Sequence, residues 1–360
     1  MGRFLKMGIL MFVLLQGCPI RAVLFVSTAD STHNTQPPSG ALAGSGWQWQ
    51  GEWKSFLGTV VGPNSFLTSR HLGGTVGDVF VFRGVNYQTI GVYDDPVSDL
   101  RLWKVCGQFP DYAPLYDGPD ETGAQVIVFG RGNQRGAPVF APDNPEELRG
   151  WKPGAWDGRW RWGTNQVIAI LKIHDAEWAV GFLAMDFDEH GGGDEAHLTG
   201  GDSGGGIFIR VGTEWKLAGI SYAVDGNFNT STNGNGFPAA LFDARGFYVG
   251  TEEKWDLVTG SSTVIPSAFY GSRVSTKLHW LRGLIEASGP GLTPPVLQSG
   301  SSLAGPFLAE PEALLDSAKR QIRLPITPST APRFFRLSSD CPWKFMQTQH
   351  AEGFLIFSYE

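Results

Sequence analysis

Residues 201–220 have the sequence GDSGGGIFIRVGTEWKLAGI, and this stretch indicates which fold class to expect. The runs 207–211 and 215–220 are rich in β-branched, aromatic and leucine side chains, and Gly212-Thr213-Glu214 separates them. Two such runs joined by a short glycine-containing turn are typical of a β-hairpin. We therefore predict two antiparallel strands directly after the glycine-rich pentapeptide at 201–205.

The same pattern recurs over most of the chain. Short apolar runs separated by Gly, Asn, Asp and Pro occupy residues 56–61, 79–82, 125–129, 167–173 and 178–185. Many short strands with tight turns favour an all-β barrel or sandwich. The clearest helix is predicted at residues 275–287, with Ser275 as its N-cap and Gly289 as its stop. Its apolar face consists of Leu278, Leu281, Leu284 and Ile285.

The composition excludes several classes of protein. Apolar residues make up 42% of the 360 residues, so we expect a globular chain rather than a disordered one. The 48 glycines and 23 prolines follow no collagen-like period, and we interpret them as breaks between strands. The net charge is -7 and no basic run interleaves with aromatic residues, so nucleic acid is not an expected partner. We expect no cofactor.

A loop before the pentapeptide is rich in carboxylates. Its acidic residues are Asp186, Asp188, Glu189, Asp194 and Glu195. Carboxylates at this density can bind calcium, but their spacing matches no EF-hand. We therefore favour a solvated acidic loop and predict no metal site.

Residues 1–29 have the features of an export signal. Arg3 and Lys6 precede an apolar run at 7–15 that is too short to span a bilayer. Small residues at Ser27-Thr28-Ala29 offer one cleavage site, and Leu15-Gln16-Gly17-Cys18 is similar to a lipoprotein box in which Cys18 is lipidated. No later stretch is long and apolar enough for a membrane-spanning helix. We expect a secreted or periplasmic bacterial protein, with lipidation at Cys18 as the alternative to full release.

The mature chain divides into four parts by composition. We predict a flexible lead-in at 30–46, a main β domain at 47–290, a small β-rich module at 291–340 and a tail at 341–360. The module contains three short strand-like runs, at 296–298, 322–326 and 333–337, and the run 354–357 of the tail is expected to pair along a sheet edge. Of the three cysteines, Cys106 and Cys341 lie outside the leader, either as one disulfide or as two buried thiols.

The pentapeptide Gly201-Asp202-Ser203-Gly204-Gly205 is the strongest chemical signal in the chain. A nucleophilic serine needs an exposed hydroxyl and neighbouring backbone N–H groups that stabilise a developing oxyanion. Glycine at 201 allows the backbone to point its N–H into that pocket, because no Cβ obstructs it. Alone, the motif could equally be a glycine-rich turn.

Two further segments supply the partners that a serine nucleophile requires. His71 follows the run 66–70, at the end of the second strand of a predicted hairpin, and histidine is the usual general base near neutral pH. Asp99 stands directly before the alternating run 100–103, where its carboxylate can orient the histidine. Asp94 and Asp95 are competitors, but neither leads directly into the alternation.

In the order His, Asp, Ser, these segments resemble the trypsin/chymotrypsin-like serine protease family, in its bacterial secreted type. The strand pair ending at His71, residues 217–222 and the helix around Trp280 extend the resemblance over residues 47 to about 288. The resemblance implies two six-stranded antiparallel β-barrels with the active site between them and a C-terminal helix. It also implies that the N–H groups of Gly201 and Ser203 form the oxyanion hole. No Ile/Val-Val-Gly-Gly start is present, so activation by a freed N-terminus is not expected.

The resemblance also points to the residues that contact the substrate. Ser221, Tyr222 and Ala223 would bind an extended polypeptide as an added strand. His197, six residues before Ser203, stands where many family members determine specificity, and Leu198 and Thr199 follow it. A histidine there could favour an acidic side chain or could be structural. Trypsin-like cleavage after Lys or Arg is not predicted.

Two other functions compete with a serine endopeptidase that acts on a polypeptide substrate. A non-catalytic trypsin-like protein would bind peptides or carbohydrate through its cleft and C-terminal module, but such relatives usually lack a triad residue. An esterase of the α/β-hydrolase class would need a helix after the serine and the histidine last in the chain. Here a strand follows Ser203 and His71 comes first. The sequence does not indicate the oligomeric state.

Overall fold

A computed structural model describes residues 23–175, 178–260, 262–287, 295–316, 319–326, 332–339, 341, 343 and 345–359. These residues form an all-β protein with two closed six-stranded antiparallel barrels, a helix near 275–286 and extra C-terminal sheets, so the predicted fold class is confirmed. The 3-10 helices lie at Gly40–Leu42, Trp47–Trp49, Arg70–Leu72 and Ser275–Lys277.

The first barrel has the strand order β2-β3-β4-β7-β6-β5. The strands up to residue 105 are β1 (Leu24–Phe25), β2 (Gln50–Trp53), β3 (Phe56–Gly62), β4 (Ser65–Ser69), β5 (Val79–Phe82), β6 (Val85–Asp94) and β7 (Leu100–Val105). Alternate side chains point to the barrel interior, as a pleated strand requires. The aromatic core includes Phe66, whose ring stacks on that of Phe80 at a centroid distance of 3.9 Å.

The second barrel has the strand order β11-β12-β20-β15-β14-β8. The strands of this region are β8 (Gln125–Gly130), β9 (Asn133–Ala141), β10 (Asn144–Trp156), β11 (Arg161–Asp175), β12 (Trp178–Asp186), β13 (Ala196–His197), β14 (Gly206–Val211), β15 (Glu214–Val224), β16 (Asn227–Asn229), β17 (Ala240–Leu241), β18 (Tyr248–Thr251), β19 (Lys254–Leu257) and β20 (Ala268–Arg273). The predicted hairpin is confirmed, because β14 pairs with β15 from Gly206↔Ile220 to Val211↔Glu214.

Two insertions form additional sheets beside the second barrel. Strands β9 and β10 make a long hairpin, and β10 pairs with β17 in an adjoining insertion. Buried Arg149 and Asp243 form an ion pair across this contact. The insertion after β15 also contains the sheet β16-β18-β19. The insertions that follow β8 and β15 therefore pack against each other.

The predicted helix is present as α1 (Leu278–Glu286), preceded by a 3-10 turn at Ser275–Lys277. Leu281 is fully buried, and its apolar neighbours on α1 pack against the core that joins the two barrels. Ser275 is not the N-cap, because α1 begins at Leu278 and Lys277 occupies the N-cap position; the Ser275 hydroxyl instead donates to Glu121 Oε1 at 2.7 Å. The predicted stop, Gly289, lies outside the described residues.

The C-terminal residues form two small sheets, β22-β21-β25 and β23-β24-β27-β26. The strands are β21 (Val296–Gly300), β22 (Leu308–Ala309), β23 (Leu314–Asp316), β24 (Gln321–Pro325), β25 (Phe334–Ser338), β26 (Phe345–Ala351) and β27 (Phe354–Tyr359). Strand β27 lies between β24 and β26 rather than at a sheet edge, so residues 345–359 complete a sheet of the module. Cys106 and Cys341 form a disulfide that joins this module to the first barrel.

Candidate active site

Ser203 lies in the turn between β13 and β14, just before the chain enters β14 of the second barrel. Gly201 has a φ of 104°, a conformation that side chains with a Cβ rarely adopt. Gly205 approaches β8 so closely that an added Cβ would lie 2.0 Å from the carbonyl oxygen of Phe129. The glycines of the pentapeptide therefore allow a tight turn in which Ser203 is partly exposed while its neighbours are buried.

The register of the first barrel brings the segments of His71 and Asp99 together. Strands β4 and β7 pair with Ser69 opposite Leu100, and Arg70 N donates to Asp99 O at 2.6 Å. Because the residue after β4 and the residue before β7 lie at the same end of this ladder, His71 and Asp99 are adjacent although 28 positions separate them.

The three predicted triad residues form one continuous chain of contacts. His71 Nδ1 lies 2.6 Å from Asp99 Oδ2, and His71 N donates to Asp99 Oδ1 at 3.0 Å. On the other side of the ring, His71 Nε2 lies 2.9 Å from Ser203 Oγ. The Asp99 side chain is 7% exposed and that of His71 is 23% exposed. The carboxylate is thus buried behind an imidazole whose other edge reaches the serine.

The two competing aspartates have other partners. Asp94 accepts hydrogen bonds from Arg101 Nε at 2.5 Å and Nη2 at 2.8 Å, and these bonds hold its pKa below the usual value. Asp95 Oδ2 accepts from Ser98 Oγ and lies 2.8 Å from Lys277 Nζ. Of these three aspartates, Asp99 is the one that contacts His71.

The backbone N–H groups beside Ser203 are the candidates for an oxyanion pocket. Within the described part of the chain, the N–H groups of Gly201 and Ser203 have no protein acceptor. Asp202 is buried and accepts hydrogen bonds from Gly132 N at 3.1 Å and Thr199 N at 2.8 Å. Burial raises the pKa of Asp202 well above its usual value. Asp202 therefore ties the turn to the second barrel and leaves the two N–H groups available.

Strand β15 passes beside Ser203 and continues beyond its partner β14. Its pairing with β14 ends at Ile220, whereas residues 221–224 remain paired on their other side with β20. Ser221 O accepts a hydrogen bond from Ser69 Oγ at 2.8 Å, which fixes this strand to the first barrel. Among the described residues, no strand covers the edge of Tyr222 and Ala223 next to Ser203. That edge can accept an added strand.

A shallow cavity of about 40 Å³ opens beside Ser203. Its lining contains two of the three residues predicted before the pentapeptide and all three predicted on β15: Leu198, Thr199, Gly200, Asp202, Ser203, Ser221, Tyr222, Ala223 and Val224. Its lining combines apolar side chains, such as Leu198 and Val224, with polar ones, such as Thr199 and Ser221.

His197 does not line this cavity. It is 1% exposed, with Nδ1 2.5 Å from Leu198 O and Nε2 3.3 Å from Ser267 Oγ. Its ring packs against those of Phe187 and Phe269, and burial lowers its pKa to about 4. His197 is therefore neutral at physiological pH, and its packing favours the structural role over contact with an acidic substrate side chain.

The acidic loop contains one buried carboxyl group, that of Glu195, and one half-buried carboxyl group, that of Asp186. Glu195 is 4% exposed, and its Oε1 accepts hydrogen bonds from Asn165 Nδ2 at 2.9 Å and Asp188 N at 3.2 Å. Burial, with the charges of Asp188 and Asp186 in addition, raises the pKa of Glu195 to about 8. Burial and the Asp188 charge raise the pKa of Asp186 to about 6. Over the described residues, no group of three or more His, Cys, Asp or Glu side chains is arranged to hold a metal ion.

Sequence reasoning missed several residues that position the site. The bond from Ser69 to Ser221 joins the two barrels, and Lys277 with Ser98 anchors the loop before Asp99. Ser69, two positions before the predicted base His71, was visible in the sequence, but its partner Ser221, 152 residues away, was not. The sheet insertions at β9, β10 and β17 carry no regular apolar alternation that would mark them.

No family model matches this chain. No curated protein matches it either. The two six-stranded antiparallel barrels with a C-terminal helix are consistent with a chymotrypsin-like fold, and the double barrel resembles trypsin-like proteins.

Proposed function

We propose that this protein is a serine endopeptidase with Ser203 as nucleophile, His71 as general base and Asp99 as the residue that orients the histidine. The observation that supports this most is the hydrogen-bonded chain from Asp99 through His71 to Ser203, with contacts of 2.6 and 2.9 Å. Acyl transfer needs this arrangement: a serine hydrogen-bonded to a histidine that a carboxylate orients, on a turn with free backbone N–H groups.

In the proposed reaction Ser203 Oγ attacks the scissile carbonyl while His71 Nε2 takes the hydroxyl proton. The N–H groups of Gly201 and Ser203 stabilise the oxyanion of the tetrahedral intermediate. His71 then gives the proton to the leaving amine, and an acyl-enzyme forms on Ser203. Water activated by the same imidazole hydrolyses this ester and restores the serine.

The substrate we propose is an extended polypeptide that pairs with residues 221–223. The cavity beside Ser203 would receive the side chain preceding the scissile bond, and its shallow depth and apolar walls, Leu198 and Val224, favour a small aliphatic group. His197 plays no part in this selection, because it is buried behind the cavity as a neutral ring.

We also propose that the protein acts outside the cytoplasm. The Cys106–Cys341 disulfide supports this, because structural disulfides persist in oxidising compartments. The described part of the chain contains no helix long and apolar enough to cross a membrane.

A fluorophosphonate probe tests the proposal on the purified protein, with Ser203→Ala as the matched variant. We expect covalent labelling of the wild type only, at Ser203, because the probe reacts with activated serines. A folded wild-type protein that stays unlabelled would refute the catalytic role. Peptides that differ only in the residue before the scissile bond then test specificity, with Ala and Val expected ahead of Phe, Lys and Glu.

A further inference from the structure

The N-terminal segment, residues 23–36, is built into the second barrel next to the candidate active site. Val23, Leu24 and Phe25 are 1%, 0% and 3% exposed. Val23 and Phe25 pack into the core of the second barrel, whereas Leu24 packs with Phe187, Ala240 and Phe242. Three consecutive buried apolar residues are a pattern of folded core and not of a segment that is discarded.

The backbone of this segment pairs with the chain that leads to Ser203. Leu24 lies opposite His197 and Phe25 opposite Ala196 in an antiparallel pair, and Val26 N donates to Glu195 O at 3.3 Å. Arg135 Nη1 donates to Val26 O at 2.7 Å. Without β1, the buried strand β13 would lose the strand that pairs with it.

Contacts continue beyond β1. Ser27 Oγ donates to Gly193 O at 2.5 Å, and Asn34 Nδ2 donates to Asp194 Oδ1 at 2.9 Å and to Trp162 O at 3.0 Å. Residues 193–197 are thus held by the N-terminal segment along their length. The next residues, 198–203, line the cavity and carry the N–H groups of the proposed oxyanion pocket.

Val23 also lies near the group that fixes the serine turn. An added Cβ on Gly130 would meet Asp202 Oδ1 at 2.0 Å and Val23 Cγ2 at 3.0 Å, so Val23 and Asp202 pack on the same point of β8. Asp202 takes its hydrogen bonds from backbone N–H groups of Gly132 and Thr199. The turn that carries Ser203 therefore forms on a barrel into which the N-terminal segment is already packed.

We propose that the N-terminal segment remains in the mature protein and positions residues 193–203 for catalysis. Export processing must then occur before Val23. Of the two cleavage sites visible in the sequence, the one at Ser27-Thr28-Ala29 would remove β1, whereas cleavage at Gly17-Cys18 would keep the whole segment. Retention of the segment does not depend on the proposed function, but its positioning role does.

Retention is tested on the full chain expressed in an exporting bacterium, by determining the N-terminal residue of the exported protein with mass spectrometry. We expect the exported protein to begin at or before Val23. A product that begins between Thr28 and Asp30 would overturn the proposal. This measurement needs no activity, so its result stands whether or not Ser203 is catalytic.

The positioning role is tested with Asn34→Ala in the full chain, and the exposed Asn144→Ala is the matched control. Misplaced catalytic groups lower the rate steeply, so we expect Asn34→Ala to lower kcat and the fluorophosphonate labelling rate roughly tenfold. The pH midpoint of activity should not change, since the contact between His71 and Asp99 is untouched. Wild-type rates in Asn34→Ala would overturn the positioning role, whereas no labelling of folded wild-type protein would refute the proposed function itself.

Discussion

The buried carboxyl of Glu195 predicts an unusual dependence of stability on pH. Burial first, and then the charges of Asp188 and Asp186, raise its pKa from 4.5 to about 8. At any pH between its unfolded and folded pKa values, a group whose pKa is raised on folding binds more protons in the folded state than in the unfolded state. The free energy of unfolding must therefore fall as pH rises from about 4.5 to about 8.

The substitution Glu195→Gln removes this dependence while keeping the shape of the protonated group. A glutamine oxygen can still accept the bonds from Asn165 Nδ2 and Asp188 N. At ~1.36 kcal/mol for each tenfold change in proton affinity, the variant should gain up to about 5 kcal/mol over wild type at pH 8 and above. The two proteins should differ little below about pH 4, where Glu195 is protonated in both the folded and the unfolded state. Asp186 is present in both wild type and Glu195→Gln, so its titration contributes little to the difference between their free energies of unfolding.

The assay is urea unfolding followed by tryptophan fluorescence at intervals from pH 5 to pH 9, with linear extrapolation to water. Glu189→Gln is the control, because that carboxylate lies in the same loop with 53% of its side chain exposed. Curves for wild type and Glu195→Gln that stay parallel over the whole range would refute a buried, proton-binding Glu195.

Three further predictions concern the site and the disulfide. Asp99→Asn should lower kcat by about 10³–10⁴ without changing the fold, because the histidine loses the group that fixes its tautomer; equal kcat would contradict this role. Gly201→Ala should lower the labelling rate of Ser203, since its φ of 104° is strained for alanine, and an unchanged rate would count against an oxyanion pocket here. Cys341→Ser should lower the free energy of unfolding by about 2–4 kcal/mol, because the disulfide ties the C-terminal module to the first barrel; kcat should not change, because neither cysteine belongs to the candidate site, and a change in kcat would show that the module acts on that site.

Local patterns in the sequence were enough to predict several of the strands, whereas the resemblance to trypsin-like proteases grouped His71, Asp99 and Ser203. The alternation at 100–103 and the hairpin at 207–220 depend on neighbouring residues, which a single sequence displays directly. The sequence placed His71 after one predicted strand and Asp99 before another, and the β4–β7 register of the structure brings these two strand ends together.

What could not be predicted depends on contacts between distant segments. The burial of Leu24 against the second barrel, and of His197 behind the cavity, requires knowing which strands are neighbours in space. The pairing of Cys106 with Cys341 spans 235 positions, and the sequence left it open. For Glu195, an acidic composition predicted solvation, whereas the fold buries this one carboxyl and leaves others of its loop exposed.

Proteolysis of an unfolded polypeptide is the measurement that tests the central proposal most directly. The purified full chain is incubated with a denatured, reduced protein substrate, and the fragments are sequenced by mass spectrometry beside Ser203→Ala and His71→Ala controls. The account predicts internal cleavage after small aliphatic residues by the wild type, and loss of that cleavage in both folded variants. Equal cleavage by Ser203→Ala, or none by a folded wild-type protein over a panel of substrates, would contradict it.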